Sequence, residues 1–190
     1  MRLTFLLASS SEVKLQGVRR YFENVVRPKV TVVPLENTPP TSFIQPRGAK
    51  EALICLTERI EAAIATSDSH SYNGILAVEN FVYECRDKDV DTNEAGRGVF
   101  LDAVALAYYD REYGDIKYRV DLGGGVGIPN SLVPQLHSKE PMTTTVGHLL
   151  FPLLGHLPAY KHDDWYVAVG EDYSRSEAID SAIESADFKY

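Results

Sequence analysis

The stretch that most constrains this chain is its beginning. Leu3 to Ala8 is a short apolar run; Ser9-Ser10-Ser11 follows, and then Leu15, Val18, Phe22 and Val25 recur at intervals of three and four. That order predicts a strand, a tight loop and a helix, with Ser11 as the helix N-cap. Such a junction turns backbone N–H groups and the positive end of a helix dipole toward whatever sits above the loop, and Lys14 follows in the first turn. The residues describe a seat for an anion. They also describe a capped helix with a solvated lysine, the commoner outcome for a short serine-rich loop.

Composition narrows the options. A chain of 190 residues with 44% hydrophobic content is long enough to bury a substantial core as one domain, residues 1–190. The net charge of −8 and pI near 5.1 leave no general basic face, which argues against nucleic acid or an anionic membrane as partner. An anionic substrate then needs local Lys or Arg, or a bound cation. Cys55 and Cys85 stand in apolar contexts without metal spacing, as expected of reduced thiols in a cytoplasmic protein. The apolar run after Arg2 is shorter than the roughly 7–15 residues of a secretion signal, and no run approaches the roughly 18 of a membrane span.

Val30 to Leu35 alternates and is β-branched, predicting a second strand whose Pro34 suits an edge position. It delivers Glu36 to a proline-rich loop, Asn37 to Pro46, that is not helical through its middle. From Arg47 a long helix is predicted, with Ala49, Ala52, Leu53, Leu56, Ile60, Ala63 and Ile64 forming one buried stripe. Gly74 to Val78 is continuously apolar, the mark of a strand covered on both faces, and it ends on Glu79. A carboxylate at the exit of a central strand lies where open α/β sheets place their chemistry. An unpartnered buried acid is costly, so Glu79 is a functional candidate on chemistry alone.

Phe81 to Glu84 continues that strand, and Val99 to Tyr109 and Ile116 to Leu122 predict two more around a turn at Asp110 to Asp115, an antiparallel meander on a parallel core. The acidic loop from Arg86 to Arg97 lacks a calcium-loop frame. Gly123 to Gly127 fits neither nucleotide-loop pattern and is expected to give close backbone approach or mobility at a cleft mouth. Met142 to Leu154 predicts an apolar helix packed between lobes or against a partner subunit, which makes a homodimer an expectation. His137, His148, His156 and His162 have no tight metal spacing. Trp165 to Val169 predicts a last strand, and Ser174-Arg175-Ser176-Glu177 a capping box opening a last helix.

Taken in order, several of these segments resemble the inosine/xanthosine triphosphatases of the YjjX type, relatives of the inosine-triphosphate pyrophosphatase fold. They are Ala8 to Lys14, Glu36 before Pro39-Pro40, Gly48-Ala49-x-x-Ala52, Ala77-Val78-Glu79, Ile128-Pro129 and Ser174-Arg175, and the likeness runs from residue 3 to about 187. The resemblance implies an α/β fold with a long mixed sheet flanked by helices and two lobes around a central cleft. It implies hydrolysis of deaminated purine nucleoside triphosphates, ITP and XTP, to the diphosphate and phosphate with Mg²⁺ (or Mn²⁺), cleansing the nucleotide pool; wider relatives release pyrophosphate. Glu36 and Glu79 are then the metal ligands, and Lys14 and Glu79 the catalytic residues. Ser9, Ser10, Ser11, Lys14 and Arg175 are placed at the substrate, with Arg47 and Lys50 supplying positive charge because Glu51 stands where the family has Arg. Ser11, Glu12, Glu51 and Asn80-Phe81 depart from the family pattern. Glu12, Glu51 and Asn80-Phe81 favour the rival expectation, a non-catalytic nucleotide- or protein-binding module on the same fold.

Overall fold

The computed structural model describes residues 3–25, 29–66, 71–85, 99–136 and 142–186; the acidic loop and His137 lie outside them. In chain order the elements are β1 (Leu3–Leu7), α1 (Glu12–Val25), β2 (Val30–Pro34), α2 (Gly48–Thr66), β3 (Gly74–Cys85), β4 (Val99–Asp110), β5 (Asp115–Gly127), a short α3 (Val133–Leu136), α4 (Val146–Leu154) and α5 (Arg175–Ala186). The strands form one sheet in the order β2-β1-β3-β4-β5. β1 runs parallel to β2 and β3, while β3, β4 and β5 alternate in direction. The expected mixed α/β sheet with helices on both faces is what forms, and the meander joins at the expected turn.

Alternation along the strands decides which helix covers which face. Phe5, Leu7, Leu76 and Val78 face α1 and α5, packing on Val18, Phe22, Ile179 and Ile183. Leu6, Ala8, Ile75, Ala77 and Phe81 face α2, where Ala103, Ala105 and Ala107 present a column of small side chains to Leu56 and Ile60. The α2 stripe is Ala52, Cys55, Leu56, Ile60 and Ala63; Ile64, expected inside, is 36% exposed because it turns past the edge of this face. A third cluster, with Val82, Phe100, Val126, Leu150, Trp165 and Tyr166, lies at the far end of β3 to β5, and α4 joins it through Val146, Gly147 and Leu150.

Two expected elements differ. Trp165 to Val169 is not a strand: both aromatic rings are buried, Ala168 and Val169 N–H groups bond back three residues, and Gly170 leaves the turn at φ +99°. Tertiary burial of two consecutive rings overrides β propensity, since a strand would send one of them outward. The glycine run lies within β5 rather than at the cleft. There β5 advances from Asp121 to Val126 while β4 advances only from Val104 to Asp102, and the run absorbs that register shift.

Helix α1 and helix α5 meet at a glycine. A Cβ on Gly17 would stand 2.6 Å from the Ser176 carbonyl oxygen and 2.8 Å from Ile179 Cβ. Helix propensity alone makes Gly17→Ala stabilising by up to about 1 kcal/mol, whereas close packing makes it destabilising by about 1–3 kcal/mol. We expect the second, read as a lower urea midpoint at unchanged m-value.

Candidate functional site

The chain leaves β1 through α1 to reach β2 on one side, then returns through α2 to β3 on the other, so the strand order reverses at β1. Crevices outside the carboxyl ends of strands at such a reversal are where open α/β sheets bind ligands. Here β1 stops while β3 continues. Their register ends at Leu7 opposite Leu76, Ala8 N–H bonds the Leu76 carbonyl at 2.8 Å, and Glu79 lies three residues further on. The proline-rich loop takes up the edge again beyond it: Arg47 pairs with Val82 in a single parallel bridge, and Val82 N–H donates to Pro46 at 2.9 Å. Between these two attachments opens a cleft of about 350 Å³, lined by the Ser9 to Ser11 loop, Lys14, Arg59, Glu79, Asn80 and Arg175 among others.

Glu79 is the centre of its charge arrangement. Lys14 Nζ lies 3.3 Å from Oε1, and Arg59 Nε lies 2.6 Å from Oε2. Burial pushes the Glu79 carboxyl up, but Lys14 and Arg59 outweigh it and hold the group below the usual carboxylate range. Burial also brings the Lys14 amine down to about 8; Glu79 opposes that shift, and the neighbouring Arg59 and Arg175 add to it. Behind the cleft stands a second acid, Asp102, fully buried on β4. Its Oδ2 is 3.2 Å from Arg175 Nη2 and accepts from Tyr166 OH at 3.2 Å. Burial pushes the Asp102 carboxyl up against the pull of Arg175, and burial with Asp102 beside it pushes the Tyr166 hydroxyl well above its ordinary value. Burial disfavours the Arg175 charge, yet Asp102 more than compensates and holds the guanidinium protonated.

The loop is built by its own hydroxyls. Ser9 is buried, its Oγ accepts from Ser11 N–H at 3.1 Å, and the Ser11 carbonyl accepts from Leu15 N–H at 2.9 Å as the first helical bond. At the other end of the chain Ser174 and Glu177 exchange bonds as the expected capping box, and Asp164 Oδ1 accepts from Arg175 N–H at 2.6 Å. This fixes the α5 start so that Arg175 reaches the cleft.

Ser9, Ser10, Ser11, Lys14, Glu79 and Arg175 therefore meet in one cleft, as expected. Glu36 and Arg47 do not line it. Glu36 is exposed in the turn before Thr38, and Arg47 stands at the start of α2, where its backbone N–H donates to Glu51 Oε2 at 2.7 Å. The two acids expected to share a metal are thus not both in the lining, and among the described residues no three His, Cys, Asp or Glu side chains cluster as a metal site. The carboxylates left in the lining are Glu79, whose two oxygens are paired with Lys14 and Arg59, and Asp163.

Two charged residues were missed. Arg59 falls on the apolar stripe of α2, between Leu56 and Ala63, and Asp102 interrupts an apolar strand. Each carried a readable signal, because a charge on a buried face requires a partner.

No protein-family model and no curated protein matches this chain. Among solved structures, protein VC0702 from Vibrio cholerae is similar over 96% of this chain and 92% of that one, with a TM-score of 0.65 at 12% identity. That likeness is one of fold. Among the described residues no helix is long and apolar enough to cross a membrane.

The lowered Lys14 value has a measurable consequence. Between about pH 8 and the ordinary lysine value of 10.5, the unfolded chain holds a proton on this amine that the folded chain has lost, so stability gains with rising pH across that window. Replacing Lys14 by Met removes this contribution. From pH 7.5 to 10 the unfolding free energy of the wild type should rise, relative to Lys14→Met, by on the order of 2 kcal/mol. Parallel profiles would mean that Lys14 titrates as an ordinary lysine.

Proposed function

We propose that this chain is a hydrolase of nucleoside triphosphates, acting on deaminated purine nucleotides such as ITP and XTP in the cytoplasm and releasing phosphate and the diphosphate. The observation that carries the reading is the pairing of Lys14 and Arg59 with Glu79, with Arg175 in the same lining, beside a hydroxyl-rich loop at a helix N-terminus. Three cationic side chains in one lining suit an anion that brings its own cation. The resemblance of the motifs supplies the nucleotide, and the apolar Met142 to Leu154 segment carries a homodimer into the proposal.

In this mechanism the N–H groups of the Ser9 to Ser11 loop and the α1 dipole hold the terminal phosphates. Lys14 and Arg175 donate to the oxygens on which charge develops as the terminal phosphoryl passes to water. Arg59 holds Glu79 ionised and oriented as Lys14 turns toward the phosphate. A magnesium (or manganese) ion carried by the substrate would be held by Glu79 and would offset phosphate charge. Water adds to phosphorus, the diphosphate leaves with the electron pair of the broken P–O bond, and the proton goes to solvent.

Departures that favoured the non-catalytic module lose force once placed. Glu12 is exposed and accepts from Gln16 at 3.1 Å, Glu51 caps α2, and the Phe81 ring is buried in the α2 core. Asn80 alone of these lines the cleft. The module reading keeps three supports: both Glu79 oxygens are engaged, Asn80 lines the cleft, and Arg47, expected to replace the Arg missing at Glu51, does not.

Incubation with ITP, XTP and ATP plus Mg²⁺, with phosphate and pyrophosphate measured separately, separates the two. Phosphate is expected from ITP and XTP, falling to background in Glu79→Gln and about a hundredfold in Lys14→Met. A correctly folded protein that cleaves no triphosphate is a binding module instead.

A further inference from the structure

Asn80 occupies a place the charge arrangement does not explain. It is 3% exposed, it lines the cleft, and its Oδ1 has no hydrogen-bond partner among the described residues. A buried amide oxygen left unpaired is costly, which makes each such atom in a native fold a question.

Proton bookkeeping fixes which end of the amide is free. The Tyr166 hydroxyl has one proton, and two Asp102 acceptors stand within reach, Oδ2 at 3.2 Å and the backbone carbonyl at 3.3 Å. With that proton given to Asp102, the hydroxyl has only a lone pair left for Asn80, whose Nδ2 lies 3.5 Å away. The amide nitrogen must therefore face Tyr166, and Oδ1 is the end left over. Asp102 is itself fixed by Arg175 at 3.2 Å. The backbone is pinned as well: Gln45 Nε2 donates to the Asn80 carbonyl at 3.4 Å, and its Oε1 accepts from Val146 N–H at 3.1 Å.

Three neighbours in the lining are cationic donors, two of them paired with Glu79, and Asp163 lines it as well. Lys14, Arg59 and Arg175 match phosphate oxygens, which only accept when ionised. Asn80 Oδ1 is a neutral acceptor beside them, buried and unpaired, and has nothing to offer a polyphosphate. We infer that Asn80 is the residue through which the cleft reads the nucleoside part of its ligand, its Oδ1 accepting an N–H or O–H group that an ionised polyphosphate lacks. This rests on the nucleotide reading above and deepens it: the matching donors are the lactam N1–H of a 6-oxopurine and a ribose hydroxyl.

The test is calorimetric titration without Mg²⁺ of inorganic tripolyphosphate and of ITP into the wild type, Asn80→Ala and Tyr166→Phe. The wild type should bind ITP the tighter. Asn80→Ala should weaken ITP about tenfold and leave tripolyphosphate within about twofold. Tyr166→Phe, which frees the amide to turn, should weaken ITP alone by roughly threefold. Repeating Asn80→Ala with ATP and with 2′-deoxy-ITP identifies the donor: a penalty absent with ATP points to the lactam, and one absent with the deoxy compound to the ribose. Equal losses for tripolyphosphate and ITP, or none for either, would overturn the inference and make the network a brace for the fold. Should the wild type bind ITP no tighter than tripolyphosphate, the nucleotide reading itself fails and this inference with it. Intact ITP hydrolysis with an unchanged ITP to tripolyphosphate ratio in Asn80→Ala sinks the inference alone.

Discussion

A carboxylate buried on a strand must be paired or neutralised, and in this protein the pairing of Glu79 organises everything around it. Lys14 comes from the first turn of α1 and Arg59 from the middle of α2, so two helices on opposite faces of the sheet are tied to one side chain at its edge. The overhang of β3 beyond β1 makes the arrangement possible. Had β1 run three residues further, the backbone beside Glu79 would be covered and no cleft would open. Buried charges are weak contributors to stability, because desolvation consumes most of the attraction. The proposed anion site rests on this: three cations are kept in one lining with the acids Glu79 and Asp163.

A second layer stands behind the first. Asp102, Tyr166 and Arg175 form a buried polar chain that links β4, the turn after Trp165 and α5. Its members shift one another: the acid keeps the guanidinium charged, and the guanidinium keeps the acid ionisable despite full burial. Arg175 thereby reaches the cleft as a fixed donor. The close α1–α5 contact at Gly17 matters for the same reason, since Lys14 and Arg175 ride on those two helices.

Much of this was legible in the sequence where one residue pattern has one physical solution. The apolar run into Glu79, the serine loop before Lys14 and the reciprocal Ser174–Glu177 cap each specify their element locally, and each lies where expected. Legibility failed where the outcome depends on distant partners. Trp165 and Tyr166 look like strand residues, yet a cluster built from β3, β4 and α4 buries both. Glu36 and Arg47 carry suitable chemistry at suitable points in the chain, and only the path of the proline-rich loop keeps them out of the cleft lining. Arg59 and Asp102 were the opposite case, visible as charges on apolar faces but without a sequence neighbour to name their partners.

The central claim is that the cleft at the β3 overhang is a polyphosphate site, and the most direct measurement is a crystal structure of the protein with magnesium and a non-hydrolysable imido analogue of ITP. The account predicts phosphate oxygens against the loop N–H groups, Lys14 and Arg175, with the Lys14–Glu79 contact lengthened. Density for the analogue on another surface, with Lys14 and Arg59 still closed on Glu79, would contradict it.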